Sequence, residues 1–373
     1  MSIATATVTD LIFTGSPGYS NNVMNVVGDK IANFFRLTEA ATITTVGVRQ
    51  VTRTNNQTTP IAAFTGTVRI GIQTVSATDG LNSGTWVGGA SNYVDVSSWT
   101  SANDGKFVTV TLPSSASLSR GVPYCVVAEM TSYPGTGSVT LAFTFSNTNL
   151  NRGYPYNLDE TTVVISPATN AVKPTNQGFA PWLIRSSSKT YGLPIETFAT
   201  TALESDTTPD EVGLGFTLPS GFGSSYTVDG GILTFSFNTT VDVSFTMTLY
   251  QGTTALQTTT IDTAQIANAN TSRRYELPFD TALSSLTPGT EYILAVAPSD
   301  AATANNMSTR DITVPTSGDK TAFGDLNFKY YSRTDAGSWT EDTTRLPLFG
   351  ICIGSVSTTG ASTAANPLAG YIL

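Results

Sequence analysis

Side chains able to do covalent chemistry are scarce in this sequence, because its 373 residues include no histidine. That absence excludes Ser-His-Asp and Cys-His catalysis, histidine-ligated zinc and the usual general base. Two acidic pairs remain for glycoside hydrolysis, which needs two carboxylates held across a cleft: Asp159 with Glu160, and Glu341 with Asp342. Adjacent residues of a strand point to opposite faces, so neither pair alone supplies convergent carboxylates. We therefore predict that the chain is not an enzyme and uses no cofactor.

Metal and thiol chemistry have equally little support. Calcium could bind the loops ATDG, ANDG and TDAG through Asp79, Asp104 or Asp335, but no Asp-x-Asp-x-Asp series is present. An aspartate close before a glycine is first of all a turn signal, so we predict no metal site. Cys125 and Cys352 lie in apolar, strand-like runs in different halves of the chain, which favours two buried free thiols over a disulfide.

Aromatic residues in loop-like segments give the main indication of a ligand, because an exposed flat ring can stack on the face of a sugar. The segments GTWVGGASNY and NRGYPYN contain four such rings, which we predict to bind carbohydrate: Trp86, Tyr93, Tyr154 and Tyr156. The alternative is that these rings cap the edges of a β-sandwich. The same argument makes four further rings candidates for carbohydrate binding: Trp99, Trp339, Tyr330 and Tyr331. Trp182, inside APWLI, is predicted to lie in a core.

The elements that must position these residues are β-strands. Apolar and polar residues alternate in TVRIGIQTV, KFVTVTL, VTLAFTF, ILTFSF and VDVSFTMTLY, and turns rich in Gly, Pro, Asn and Asp separate such segments. No helical period is sustained, and DTAQIANANT (262–271) is the best short helix candidate. The pattern predicts an all-β protein built of antiparallel sheets.

One strand signal is present twice, as LSRGVPYCVVA (118–128) and LTPGTEYILAV (286–296). Gly121 corresponds to Gly289 and Tyr124 to Tyr292, which predicts the same structural corner in two sandwiches. In each corner the glycine turn reverses the chain, the tyrosine ring enters the core, and its hydroxyl finds a backbone acceptor. Further landmarks follow in one order, which favours a tandem duplication: FFRL with GFTL, Leu112-Pro113 with Leu277-Pro278, DETT with EDTT, and FAPWLI with RLPLFGICI.

These landmarks divide the chain into four predicted parts: an arm or edge strand (1–20), a first sandwich (21–190), a second sandwich (191–358) and a tail (359–373). The segment SSSKTYGLPIETFATT (186–201) is the predicted connector. The tail ends in apolar residues that we predict to dock onto another chain during assembly: Leu368, Tyr371, Ile372 and Leu373. The alternative is a last strand or a frayed terminus.

Composition limits the partners. Charged residues make up 12% of the chain, the net charge is -9, and the basic residues are scattered. A protein of this kind is unsuited to nucleic acid or to an anionic membrane. No apolar run approaches the roughly 20 residues that span a bilayer, and the first residues lack a basic segment followed by an apolar one. We expect a cytosolic protein, or one that reaches the outside by cell lysis, as virion proteins do.

The order of elements in residues 33–130, from FFRL through DGLNSGTW to GVPYCVVAEM, resembles jelly-roll domains of carbohydrate-binding-module type, which recur in bacteriophage structural proteins. The second copy is similar but lacks DGLNSGTW, and LTPGTEYILAV also resembles a fibronectin type III strand. The resemblance implies two tandem antiparallel β-sandwich, jelly-roll-like domains with extended terminal arms.

Together these features predict a non-enzymatic virion structural protein, either a head decoration protein or one associated with a tail or fibre. It would lie on the surface of a virion or another extracellular particle and bind itself, as a homo-oligomer, and other virion proteins. The alternative is a carbohydrate-binding protein that recognises host or environmental glycans through its loop aromatics. A polysaccharide-degrading enzyme is the third hypothesis.

Overall fold

The computed structural model describes residues 19–37, 39–55, 59–78, 80–144, 162–166, 171–175, 182–203, 209–218, 223–236, 244–262, 273–298, 307–323 and 326–357. These residues form β-strands joined by turns, together with two short 3-10 segments, Ser101–Asn103 and Ser317–Phe323. Each strand pair in the described part of the chain is antiparallel. The prediction of an all-β, sandwich-type fold is confirmed. The helix candidate is not: Asp262 ends a strand, and 263–271 lie outside the described residues.

The chain divides into two compact units, of which the first spans Pro17–Glu196 and the second includes Thr197–Leu373. The strands of the first unit are β1 (Tyr19–Met24), β2 (Lys30–Arg36), β3 (Ala41–Asn55), β4 (Thr59–Pro60), β5 (Ala63–Phe64), β6 (Thr67–Val75), β7 (Asn82–Trp86), β8 (Tyr93–Val96), β9 (Trp99–Thr100), β10 (Phe107–Leu118), β11 (Pro123–Ser132), β12 (Ser138–Thr144), β13 (Thr162–Ser166), β14 (Ala171–Thr175), β15 (Trp182–Arg185) and β16 (Thr190–Gly192).

The strands of the second unit are β17 (Thr197–Leu203), β18 (Glu211–Thr217), β19 (Ser225–Ser236), β20 (Ser244–Gln251), β21 (Thr254–Asp262), β22 (Arg273–Leu286), β23 (Glu291–Pro298), β24 (Met307–Thr313), β25 (Lys329–Arg333), β26 (Thr340–Asp342), β27 (Arg345–Pro347) and β28 (Gly350–Ser357).

The two units repeat one strand order. In the first, one sheet runs β1-β12-β3 with β10 and β15 also paired to β3, and the other runs β14-β13-β2-β11-β6-β7. In the second, one sheet runs β17-β24-β19 with β22 and β28 also paired to β19, and the other runs β26-β25-β18-β23-β20-β21. The eleven strands in these two sheet orders of the first unit thus each have a counterpart in the second, which is the result expected from tandem duplication of one sandwich.

Two sequence interpretations differ from this topology. The strand order matches β14 with β26, so EDTT (341–344), which begins within β26, lies one strand later than DETT (159–162), which leads into β13. A four-residue acidic and threonine-rich match is too short to fix a register against the sheet pairings. The predicted connector 186–201 contains the division between the units, after Glu196, but half of its residues are strand: β16 pairs with β15 of the first unit, and β17 pairs with β24 of the second.

The core of each unit lies between its two sheets. In the first, the Phe35 ring on β2 stacks on Trp182 of β15, with ring centroids 4.7 Å apart. In the second, Phe235 of β19 meets Phe245 of β20 edge to face at 4.8 Å. Burying a large apolar side chain contributes about 1.5–3 kcal/mol, so these rings are major contributors to each sandwich.

The tyrosines of the repeated strand signal form equivalent corners. The hydroxyl oxygen of Tyr124 accepts a hydrogen bond from the Ser119 N–H at 3.1 Å, and that of Tyr292 accepts one from the Thr287 N–H at 2.9 Å. The sequence predicts a backbone acceptor for each tyrosine hydroxyl, but in both corners the backbone group is a donor. The reason is that a turn N–H just beyond a strand has no ladder partner, and a tyrosine oxygen can accept.

The glycines of the two corners share one geometry as well. Gly121 and Gly289 have φ angles of 73° and 77°, a region that residues with a Cβ rarely adopt. Their N–H groups donate to the carbonyls of Leu37 and Leu218 respectively, both at 2.8 Å. Leu37 and Leu218 end the FFRL and GFTL landmarks. The turn therefore makes a hydrogen bond to the end of the equivalent neighbouring strand in each unit, next to β2 in the first and β18 in the second.

Candidate functional site

Trp86 and Tyr93, predicted as carbohydrate-binding residues, come together on one side of the first unit. Trp86 ends β7 and Tyr93 begins β8, and both strands pair with β6, opposite Gln73 and Gly71. Two positions apart on one strand place residues on the same face of a sheet. The two rings have centroids 5.2 Å apart and planes inclined by 52°, and both are partly exposed.

The Trp86 ring rests on the backbone of β6. A Cβ at Gly71 would lie 2.9 Å from the indole, so only glycine allows this approach. The ring also packs against a small buried cluster of Ala32, Phe34, Cys125 and Val127, which is separate from the main core. These residues lie on the side of the sheet that faces away from the second sheet, so Trp86 lies on the outer side of the sandwich.

Arg69 fixes the position of Tyr93. Its guanidinium carbon lies 3.8 Å from the centre of the Tyr93 ring, and its Nε and Nη2 donate to the two carboxylate oxygens of Asp95 at 2.9 and 3.1 Å. The hydrogen bond to Asp95 raises the pKa of Arg69, so the guanidinium stays charged. We define the first outer face as Trp86, Tyr93, Arg69 and Asp95.

The loop between β7 and β8 is held by one buried amide. Asn92 donates from Nδ2 to the Val87 carbonyl at 2.7 Å and accepts from the Ser114 N–H at 2.9 Å, which ties the loop to β10. Because the loop is fixed before any ligand arrives, less conformational entropy would be lost on binding.

The remaining predicted residues are placed differently. Tyr154, Tyr156 and the four tail residues Leu368, Tyr371, Ile372 and Leu373 lie outside the described residues. Trp182 lies in the core, as the sequence indicated, and Trp99 is also buried, with its Nε1 donating to the Val96 carbonyl at 3.2 Å. Neither of these two indoles can contact a ligand.

The corresponding side of the second unit has its own aromatic cluster, which we define as the second outer face: Tyr250, Tyr331, Trp339, Arg333 and Glu211. Trp339 lies 5.5 Å from Tyr250 and 6.2 Å from Tyr331, measured between ring centroids. The Arg333 guanidinium lies 4.2 Å from the Trp339 ring centre and pairs with Glu211 at 2.6 Å. Tyr250 donates to Glu211 at 2.8 Å, and burial raises the pKa of Tyr250 to about 12.

A polar groove of about 620 Å³ also lies in the second unit. It is lined mainly by hydroxyl and charged side chains: Thr200, Thr201, Ala202, Pro209, Tyr330, Ser332, Thr340, Glu341, Asp342, Thr343 and Arg345. The sequence indicated Glu341 and Asp342 as an acidic pair, and both line this groove. It did not indicate Arg345 or its buried partner Asp311, because a lone Arg and a lone Asp distant in sequence give no signal before the strands pair.

The structure describes two of the three aspartates that the sequence suggested for calcium, Asp104 and Asp335. Among the described residues, no group of three or more His, Cys, Asp or Glu side chains is placed to hold a metal ion. Asp104 binds Arg53 and Gln50, while the Asp335 N–H donates to Asp210 at 2.8 Å. Asp79 lies outside the described residues.

Both cysteines are free thiols, as predicted. Cys125 is buried and Cys352 is half-buried rather than fully enclosed. Burial raises the pKa of Cys125 to about 12, so this thiol is a poor nucleophile at neutral pH.

Within the described ranges, no helix has the length and apolar character needed to cross a membrane. No protein-family model matches the chain, and no curated protein matches it. Among solved structures, the chain is similar to the crystal structure of a lectin from Pleurotus ostreatus in complex with GalNAc, at 9% identity and a TM-score of 0.24. The match covers 100% of this chain and 98% of the lectin chain. At that TM-score the likeness carries no argument about fold or ligand.

Proposed function

We propose that this chain is a non-enzymatic carbohydrate-binding protein that holds glycans on the first outer face. The observation that carries the proposal is the pairing of Trp86 and Tyr93, two partly exposed rings at 5.2 Å on one side of a rigid sheet. The inclined rings offer apolar surface to the C–H face of a sugar, and the burial of that face supplies binding free energy.

The groups beside the rings supply the polar part of recognition. Arg69 and Asp95 have side chains that are 27% and 41% exposed, so a ligand can reach both. Asp95 can accept hydrogen bonds from sugar hydroxyls, and the Arg69 N–H groups can donate to hydroxyl or ring oxygens. A few polar groups around an apolar surface fix the orientation of a ligand.

The proposal is tested by screening the purified chain on an array of neutral, amino and acidic glycans, followed by titration of the retained glycan. We expect Tyr93→Ala to weaken binding by about 10-fold to 100-fold, the range typical of a central aromatic contact. Trp86→Phe, which shortens the platform but still fills the space above Gly71, should weaken binding less. The matched control is Val122→Ala, which alters a side chain of the same unit that is 40% exposed. A wild-type chain that retains no glycan would overturn the proposal.

A virion structural role is the second candidate. Its support in the described residues is an open sheet edge: β21 (Thr254–Asp262) ends its sheet and pairs with β20 as its one hydrogen-bonded neighbour there. An exposed edge offers backbone groups to a strand of another chain. Assembly through the tail and a place on a virion or other extracellular particle remain proposals.

The molecular mass in solution tests that candidate, measured by light scattering for the full chain and for a variant lacking residues 360–373. Assembly through the tail requires an oligomer that dissociates on truncation. A full chain that is monomeric at all concentrations counts against the structural role and leaves carbohydrate binding unaffected.

A further inference from the structure

We propose that the polar groove of the second unit is a separate binding site for a neutral or amino saccharide. This inference rests on the proposed function for its ligand class but uses other residues. The groove volume of about 620 Å³ lies within the range of about 300–1,000 Å³ that small-molecule sites occupy. It lies between β17, at the end of one sheet, and β25 and β26, at the end of the other.

The walls of the groove have spare hydrogen-bonding capacity. Thr200, Ser332, Thr340 and Thr343 line it, and their hydroxyl groups form no hydrogen bond with other side chains in the described part of the chain. Hydroxyl groups both donate and accept, as the hydroxyls of a sugar do. A polyol can therefore satisfy these groups in either direction.

One carboxylate of the groove has an oxygen that can accept a hydrogen bond from a sugar. Asp342 uses Oδ1 to accept from the N–H and the hydroxyl of Thr344, at 2.9 and 3.0 Å, while its Oδ2 accepts nothing from the described residues. Glu341, the preceding residue of the same strand, pairs with Tyr331 and lies on the opposite face, where Lys329 is its ion partner at 4.0 Å. Asp342 Oδ2 is therefore the carboxylate oxygen of the groove that is free to accept from a sugar hydroxyl.

The guanidinium of Arg345 is the cation of the groove, and an ion pair with the buried carboxylate of Asp311 holds it in place. Arg345 donates from Nη2 to Asp311 at 2.5 Å and to Thr201 at 2.6 Å, and its guanidinium lies 4.7 Å from the Tyr330 ring centre. Burial raises the pKa of Asp311, while Thr201 and the charge of Arg345 oppose that rise. The Arg345 Nε–H is buried and has no acceptor among the described residues, so Arg345 would contact a ligand through the exposed part of its guanidinium.

The charge balance of the groove selects the ligand class. Asp311 offsets Arg345 and Lys329 offsets Glu341, so the carboxylate of Asp342 is the acidic group that remains in the lining. Lys320 donates to the Asp342 carbonyl at 3.0 Å and therefore supports the backbone of β26. An acidic lining repels carboxylated or phosphorylated sugars, and it accepts neutral hydroxyls or an ammonium group.

The test uses the full-length chain with Tyr93→Ala, which disables the first outer face without removing the packing of Trp86. Saturation-transfer NMR is recorded with methyl glycosides of neutral hexoses, with glucosamine and with glucuronic acid. We expect signals from the neutral and amino sugars and none from glucuronic acid. Adding Asp342→Asn, or Arg345→Gln, should raise the dissociation constant at least about tenfold.

Glu276→Gln is the matched control, because Glu276 is an exposed carboxylate on β22 of the same unit, away from the groove residues. Thermal unfolding checks that each variant folds. If the groove variants bind as tightly as their parent, the second site is overturned, and the first outer face is judged separately by comparing Tyr93→Ala with wild type. If Tyr93→Ala leaves all binding intact and the groove variants abolish it, the groove stands and the first outer face fails. If glucuronic acid binds best, the proposed ligand class is wrong.

Discussion

The first and second outer faces lie on equivalent sheets of two similar units, yet they fix their aromatic rings in different ways. On the first face, Arg69 and Asp95 brace Tyr93 with side chains that are 27% and 41% exposed. On the second, the side chains of Arg333 and Glu211 are 6% and 8% exposed. Arg333 contacts the Trp339 ring, and Glu211 accepts a hydrogen bond from Tyr250. The two copies therefore both pair aromatic rings with an ion pair, but the ion pair is exposed to solvent in the first unit and buried in the second.

The ion pairs give the largest expected difference between the two faces. Breaking a buried pair leaves a charge without compensation and costs about 3–5 kcal/mol, whereas an exposed pair contributes about 0–1 kcal/mol. We therefore expect Arg333→Ala to lower the free energy of unfolding by several times as much as Arg69→Ala, measured by urea denaturation. Equal effects would contradict a buried ion pair between Arg333 and Glu211 in the second outer face.

The tyrosine corners should show no such difference. Tyr124→Phe and Tyr292→Phe each remove one acceptor and leave one turn N–H without its partner, at Ser119 and Thr287. Loss of such a hydrogen bond costs about 1–2 kcal/mol. We expect two similar decreases in the free energy of unfolding, and a double variant should show their sum because the sites are in different units. A large inequality would contradict the equivalence of the corners.

Alkaline pH gives the smallest expected effect and again separates the faces. The cluster behind Trp86 contains Cys125, whose pKa burial raises from 9.0 to about 12, and the second face contains Tyr250, raised from 10.0 to about 12. In both cases the unfolded chain loses its proton first, so stability is intact below the ordinary pKa and falls as pH rises from there toward about 12.

Between pH 8 and pH 10, ionisation of the Cys125 thiol in the unfolded chain should therefore lower the free energy of unfolding by about 1 kcal/mol. Ionisation of the Tyr250 phenol should begin to lower it only above pH 10. Urea midpoints measured across this range test the order. Cys125→Ala should reduce the fall of the urea midpoint with pH below pH 10. Tyr250→Phe should reduce that fall only above pH 10. A midpoint that rises with pH would contradict the direction.

The repeated corners were predictable from sequence because each is a local signal. A glycine and a tyrosine three residues apart, followed by alternation, specify a turn, a buried ring and a strand within one short segment. The same locality explains why the all-β fold was evident. The prediction of a backbone acceptor for the tyrosine hydroxyl was wrong. The sequence shows that a buried tyrosine needs a hydrogen bond, but it does not show whether the nearest backbone group donates or accepts.

The sites were only half predictable. Trp86 and Tyr93 were found because loop aromatics are conspicuous, but their contact depends on both β7 and β8 pairing with β6, which is a matter of register. Arg345 and Asp311 lie 34 positions apart in sequence and meet through the pairing of β27 with β24. Trp99 shows the converse: an indole beside a polar turn can still be fully buried.

A glycan titration of two matched variants tests the central claim most directly. Tyr93→Ala and Tyr331→Ala each remove a partly exposed tyrosine from equivalent sides of the two units. Binding of the array-selected glycan is measured by calorimetry, with folding checked by thermal denaturation. The account predicts that Tyr93→Ala weakens binding by about tenfold or more and that Tyr331→Ala leaves it unchanged. Equal affinities for wild type and Tyr93→Ala would contradict it.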